Sequence, residues 1–139
     1  MIKESLKKNG IGKYVRWLGI FLKCCFAKMI LCFCQKKFSR VWVFAERGVD
    51  ARDNGLHLFR YVQKEHPEIN AYYIISKDSP DRKNFTSKDR LVDFGSWKHY
   101  LLYLAAEAKV SAHIYGGAPE HNLFLRMAKV PVLKKIFVT

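Results

Sequence analysis

The sequence has 139 residues, with 25 Lys/Arg against 12 Asp/Glu and a formal net charge of +13. That length suits one domain with a modest core, and a composition half hydrophobic and 14% aromatic excludes a disordered chain. The charge calls for an anionic partner: nucleic acid, an anionic membrane surface or a phosphate-rich substrate.

The charge is uneven along the chain. Ten basic residues precede Val41 against Glu4 alone, a balance of +9, whereas the remainder carries fifteen basic and eleven acidic residues, +4. Two parts are therefore expected: a basic arm over residues 1–40 and a mildly basic domain over 41–139. The four cysteines, Cys24, Cys25, Cys32 and Cys34, all lie in the arm. So tight a cluster cannot staple distant segments, which points to a reducing compartment. Its spacing lacks the paired C-x2-C turns of a zinc site, so no metal is expected and the cysteines read as small apolar filler. No signal peptide is evident, because the apolar stretch starts late and carries Lys23 and Lys28.

From Ile11 to Gln35 the pattern predicts an amphipathic helix. Tyr14, Val15, Leu18, Leu22, Cys25, Phe26, Met29 and Phe33 share one side at 100° per residue, and Lys13, Arg16, Lys23 and Lys28 gather opposite them. A Lys near mid-bilayer costs about 2.5–3.5 kcal/mol, so a membrane span is unattractive. An interfacial helix fits better, with Trp17, Leu18, Leu22, Phe26, Met29 and Phe33 in the acyl boundary. Lys13, Arg16, Lys23 and Lys28 would then meet anionic headgroups. The alternative is that the apolar side packs on the chain's own core or on a partner.

Beyond Arg40 the texture changes. Val41–Ala45 reads as a buried strand, followed by the turn-rich ERGVDARDNG. A helix then runs from Leu56 to His66, capped by Asp53 or Asn54 and stopped by Pro67. Ala71–Ser76 is a second strand, and Lys77–Asp89 a loop or short helix. Leu91–Phe94 is a short third strand. A helix capped by Ser96 follows and runs to Glu107. Lys109–His113 is a fourth strand, followed by a Gly-Gly-Ala-Pro loop, a short helix at His121–Lys129 and another strand starting at Lys135. Alternating strands and helices predict an α/β fold with a Rossmann-like parallel sheet. Ligands of such sheets bind beyond the carboxyl ends of the strands, which places Glu46–Asn54, Ser76–Asp78, Gly95–Ser96 and His113–Glu120 on the functional edge. The chain stops inside its last expected strand, which reads as truncation.

The stretch VWVFAERGVDARDNGLHLFRYVQKEHPEINAYYIISKDSPD, then DFGSWKHYLLYLAAEAKVSAH, YGGAPEHN and KKIFVT, resembles in order and spacing the N-terminal domain of the CDP-glycerol:poly(glycerophosphate) glycerophosphotransferase family. The resemblance implies two Rossmann-like domains facing a cleft, the GT-B arrangement. Glycerol phosphate, or a related alditol phosphate, would pass from CDP-glycerol or a similar donor to a teichoic acid-type polymer. The work would be done at the cytoplasmic face of the bacterial cell membrane, by a peripheral protein. It also implies that this part forms the acceptor side, that a second domain missing here binds the donor, and that the family's catalytic histidines lie beyond Thr139. The fragment alone is accordingly expected to be inactive and to carry no cofactor.

Attack by a polymer hydroxyl on a pyrophosphate needs a general base and stabilisation of the leaving nucleotide. His113 is the candidate base, against the commoner role of a hydrogen-bonded strand-end histidine. Glu46, Arg47, Asp53, Asn54, Ser111 and His113 are the acceptor-cleft candidates. Asp53 and Asn54 can equally act as a helix cap and turn, and Arg47 and Arg52 as solvated loop residues or ligands of acceptor phosphates. His99 is expected to be solvated. Gly116-Gly117 is too short to cradle phosphates. Nucleic acid is not expected as a partner, because no RRM, helix-turn-helix or zinc-finger pattern appears. A complete flavodoxin-like protein lacks its phosphate loop here. A non-catalytic membrane-associated fragment or partner protein is the remaining alternative.

Overall fold

The computed structural model describes residues 2–52, 54–86, 89–111, 117–119 and 135–136. A 32-residue helix, α1 (Ile2–Phe33), leads through a 3-10 turn at Gln35–Phe38 into strand β1 (Val41–Phe44). There follow α2 (Asn54–Glu65), β2 (Asn70–Ile75), a 3-10 turn at Pro80–Asn84, β3 (Leu91–Asp93), α3 (Trp97–Ala105), β4 (Ala108–Val110) and β5 (Lys135–Ile136). The strands form one sheet in the order β3-β2-β1-β4-β5, and every neighbouring pair is parallel. The expected Rossmann-like α/β architecture is therefore present, with the helix before it.

Alternation along the strands divides the core. Phe44, Ala71, Tyr73, Ile75 and Val110 face α2, whose Leu56, Phe59 and Val62 recur at helical spacing and are buried among them. Phe59 meets Phe44 and Tyr73 edge-on, with ring centroids 5.4 Å apart in both pairs. Val41, Val43, Ile74 and Val92 point to the other face and meet Leu102 and Ala106. Pro67 follows the end of α2, where the next helical residue would need the backbone N–H that proline lacks. A third cluster lies outside this sheet sandwich: Ile20 and Cys24 of α1 pack with Tyr100 and Tyr103 of α3 and with Ala118. Helix α1 is thus a further layer laid on α3, and Cys24 fills a gap in the contact as a small apolar group.

Boundaries differ from expectation at several points. α1 begins at Ile2 rather than near Ile11, continuing through Asn9-Gly10, which weaken a helix without the block that a proline would impose. α3 stops at Ala105, two residues early, so that the Glu107 N–H can bond Val41 O at 2.9 Å and start β4. Among the described residues of 77–89 the one regular element is the 3-10 turn, with Ser79 as its cap and Pro80 in its first turn. The expected helix at 121–129, part of the Gly-Gly-Ala-Pro loop and the last residues of the 135–139 strand lie outside the described residues.

Candidate functional site at the carboxyl edge

In the order β3-β2-β1-β4-β5 the chain reverses its direction of travel between β1 and β4, so the crevice at their carboxyl ends is where this architecture takes ligands. Glu46 and Ser111 meet there: the Ser111 hydroxyl donates to the Glu46 carbonyl at 3.3 Å. The Glu46 side chain is only 1% exposed. Its carboxylate accepts from the Arg52 backbone N–H at 3.4 Å, and Oε1 lies 3.3 Å from where a Cβ on Gly55 would stand. Gly55 is in the first turn of α2, so the Glu46 carboxylate lies beside that turn, within reach of the partial positive charge of the helix N-terminus. Glu46 is consequently an anchor for the β1–α2 connection rather than a base aimed at solvent.

The connection is fixed along most of its length. Gly48 O accepts from Ser76 N–H at 2.6 Å, Val49 O from the Ser79 hydroxyl, Asp50 O from the Tyr73 hydroxyl at 3.4 Å and Ala51 O from Asn84 Nδ2 at 3.0 Å. Asp81 completes it. This carboxylate, 1% exposed, accepts from Ala51 N–H at 3.1 Å and from Arg52 Nε at 2.8 and 2.9 Å, while Arg52 Nη2 lies 2.8 Å from Oδ1. The Ala51 N–H, and then the guanidinium, hold the Asp81 carboxyl below its ordinary range. Bonded at two nitrogens, Arg52 leaves about two-thirds of its side chain exposed on the edge. Arg47 is similarly exposed and sits 3.8 Å from Asp50. On the β3 side, Asp93 pairs with Arg82 at 2.8 Å and with Lys77 at 3.7 Å.

His99 corrects an expectation. It is wholly buried, not solvated. Its Nδ1 accepts from Gly95 N–H at 2.9 Å and its Nε2–H donates to Gly117 O at 2.6 Å, which fixes the neutral tautomer. Burial pushes its pKa down to about 4, against the opposing effect of the Gly117 carbonyl. Its ring lies 5.1 Å from that of Phe94, and Phe94 in turn packs where Gly48 has no side chain. One histidine thus ties together the segments following β1, β3 and β4.

Of the acceptor-cleft candidates, the structure brings Glu46 and Ser111 into contact and leaves Arg47 and Asn54 exposed at the mouth. Asp53 and His113 lie outside the described residues. The ten residues assigned to membrane docking are all exposed on α1. Sequence reasoning missed Asp81 and His99 as organisers of the edge. Their signals were local: Ser79-Pro80-Asp81 is a helix-start pattern, and Ser96-x-x-His99 pairs a cap with the residue whose N–H it accepts, at 3.2 Å. The arrangement offers a rigid, cationic rim suited to phosphate groups, and a buried carboxylate beside the first turn of α2.

Comparison with known proteins adds three findings. The sequence profile of the CDP-Glycerol:Poly(glycerophosphate) glycerophosphotransferase family matches residues 26–134. A Bacillus subtilis (strain 168) protein described as "Minor teichoic acid biosynthesis protein GgaB" is 33% identical over 73 residues, covering 52% of this chain and 8% of that protein. No solved structure matches significantly.

Proposed function

Because this chain belongs to the CDP-glycerol:poly(glycerophosphate) glycerophosphotransferase family, we propose that it forms the acceptor-side part of a transferase. That enzyme moves glycerol phosphate, or a related alditol phosphate, from a CDP-activated donor to a teichoic acid-type polymer. A terminal hydroxyl of the polymer attacks the phosphorus that bears the glycerol. Its proton passes to a general base, and the phosphoanhydride bond breaks to release CMP. The polymer arrives with a phosphodiester in every repeat, and Arg47 and Arg52 give the rim two exposed guanidiniums suited to it.

The observation that carries the assignment to the acceptor side is Glu46. A nucleotide pyrophosphate bound in the first strand–helix turn needs the N-terminus of α2, and here a buried carboxylate lies against that turn. The donor is therefore assigned to a second domain across a cleft, in the GT-B manner. Titration of the chain with CDP-glycerol and, separately, with a short glycerol phosphate oligomer tests this. The oligomer is expected to shift the amide resonances of residues 47–52 and CDP-glycerol to leave those of Glu46 and Gly55 unmoved. Saturable CDP-glycerol binding at Glu46 and Gly55 would reverse the assignment. A matching assay of labelled glycerol transfer from CDP-glycerol is expected to show none with this chain alone.

A further inference from the structure

The amino edge of the sheet, at the opposite end of the strands from the candidate cleft, holds a hollow of about 470 Å³ beside the start of β2. Helix α2 supplies Arg60 and Lys64, four residues apart and so on one face, and Arg90 stands immediately before β3. Ile69 and Ala71 give the hollow an apolar wall. Asp89 is the acidic residue among the described lining. A volume of this size suits a small molecule.

The fold positions these cations without neutralising them. Lys64 lies in the last turn of α2, where the helix dipole favours a positive charge. The dipole accounts neither for Arg60, one turn earlier and repelled by Lys64, nor for Arg90, which is outside the helix. Arg60 Nη2 donates to Asn84 O. Arg90 Nη1 donates to Asn70 Oδ1 at 2.9 Å, and Asn70 Nδ2 is itself anchored on Ser39 O at 2.9 Å. Each guanidinium has five N–H donors, so one bond to the fold fixes it and leaves donors for a ligand. Among the described residues, no carboxylate forms an ion pair with Arg60 or Arg90. Asp89 is engaged in its own turn, where Oδ2 accepts from the Thr86 N–H at 2.6 Å and the Thr86 hydroxyl at 3.2 Å. Lys64 meets Glu65 at 3.0 Å, a solvent-exposed pair that water readily replaces.

We propose that this hollow binds an organic phosphomonoester as its dianion. Charge selects this ligand: Arg60, Lys64 and Arg90 against Asp89 leave two positive charges. A phosphomonoester carries close to two negative charges at neutral pH, its second pKa being about 6. A phosphodiester or a carboxylate carries one and is only half matched. The forked N–H groups of Arg60 and Arg90 suit phosphate oxygens, and the organic group lies against Ile69 and Ala71. A nucleoside monophosphate and glycerol 3-phosphate share this chemistry and differ in the group that meets the apolar wall. The site lies away from Arg47 and Arg52, so the inference depends on neither the acceptor assignment nor the transfer reaction.

The test is titration of the isotope-labelled 139-residue chain at low ionic strength with CMP, glycerol 3-phosphate and inorganic phosphate. The amides of Arg60, Lys64, Ile69, Ala71 and Arg90 and the Nε–H groups of both arginines are followed. Saturable shifts are expected with CMP and glycerol 3-phosphate, with a Kd of about 1 mM or tighter, and the tighter of the two identifies the organic group. Inorganic phosphate, which offers nothing to the apolar wall, is expected to bind about fivefold more weakly or worse. Lys64→Gln should weaken the monoesters about fivefold. The Lys64 side chain is 82% exposed, so this variant leaves the fold intact. Lys13→Gln, the same loss of charge on α1, should leave binding unchanged. Absence of saturable shifts at these residues up to about 10 mM overturns the proposal. So does inorganic phosphate, or a hydroxyl-ended glycerol phosphate oligomer joined by diesters alone, binding there as tightly as the monoesters. Equal weakening by Lys64→Gln and Lys13→Gln would reduce the effect to unspecific charge and overturn it as well.

Discussion

At the scale of single residues, the carboxyl edge depends on a few positions whose chemistry allows no near substitute. Gly48 has φ +81°, and a Cβ there would stand 2.6 Å from the Phe94 ring. Gly48→Ala is expected to cost about 1–3 kcal/mol, measured by urea denaturation, through left-handed strain and the displaced ring. His99 gives a pH signature. Its pKa falls from 6.5 to about 4 on folding, so between those values the unfolded chain binds the extra proton and stability rises with pH. The contribution is complete above about pH 6.5 and is lost as pH falls toward 4, a span of about 3 kcal/mol. The urea midpoint should drop across that window in the native sequence and drop less in His99→Gln. Asp81 acts in the same direction at lower pH: its lowered pKa supports stability above the ordinary carboxylate range and withdraws it as the pH falls through the folded value.

At the scale of elements, α2 and α1 are attached in different ways. α2 drives Phe59 into the rings of Phe44, Tyr73 and Phe85, and Phe59→Ala should cost about 3–5 kcal/mol. α1 rests on a narrow seam of Ile20, Cys24 and Ala27, with Ala27 wholly buried. A larger side chain has no space there. Ala27→Leu is expected to cost about 1–3 kcal/mol and to expose the α1 amides selectively to hydrogen exchange while those of β1 and β2 stay protected. Equal loss of protection in helix and sheet would mean that α1 is part of the cooperative core. The loop between β1 and α2 belongs to neither class. Its carbonyls from Gly48 to Ala51 are all claimed by side chains or backbone of the segment 73–84, so it is a rigid rim although it has no regular structure.

At the scale of the whole molecule, strand order decides where a ligand touches. The reversal between β1 and β4 gathers residues 46–52, 76–79, 94–96, 111 and 117–119 at one end. A hollow of about 470 Å³ lined by Arg60, Lys64 and Arg90 lies at the other, beside the start of β2. Glycerol phosphate oligomers should move resonances of the first group and leave Arg60, Lys64 and Arg90 unmoved. Shifts concentrated at the latter would place acceptor binding at the amino edge and remove the basis for the acceptor cleft.

The order of elements was legible in the sequence because local chemistry sets it. VWVF and AYYII are β-branched and aromatic runs between polar turns, Pro67 ends a helix for lack of an N–H, and Ser96 starts one by supplying an acceptor. The basic arm and its apolar stripe were legible for the same reason, since helical periodicity needs nothing beyond the chain itself. Tertiary structure alone decided which residues share a site. Asp81 reaches Ala51 and Arg52 across thirty positions of sequence, and His99 reaches Gly117 across eighteen, and neither pairing leaves a trace in spacing or composition. It also decided which side of α1 meets the domain. Both sides carry groups able to pack, and only the presence of Tyr100 and Tyr103 on α3 selects the narrow stripe of Ile20, Cys24 and Ala27 over the broad aromatic one.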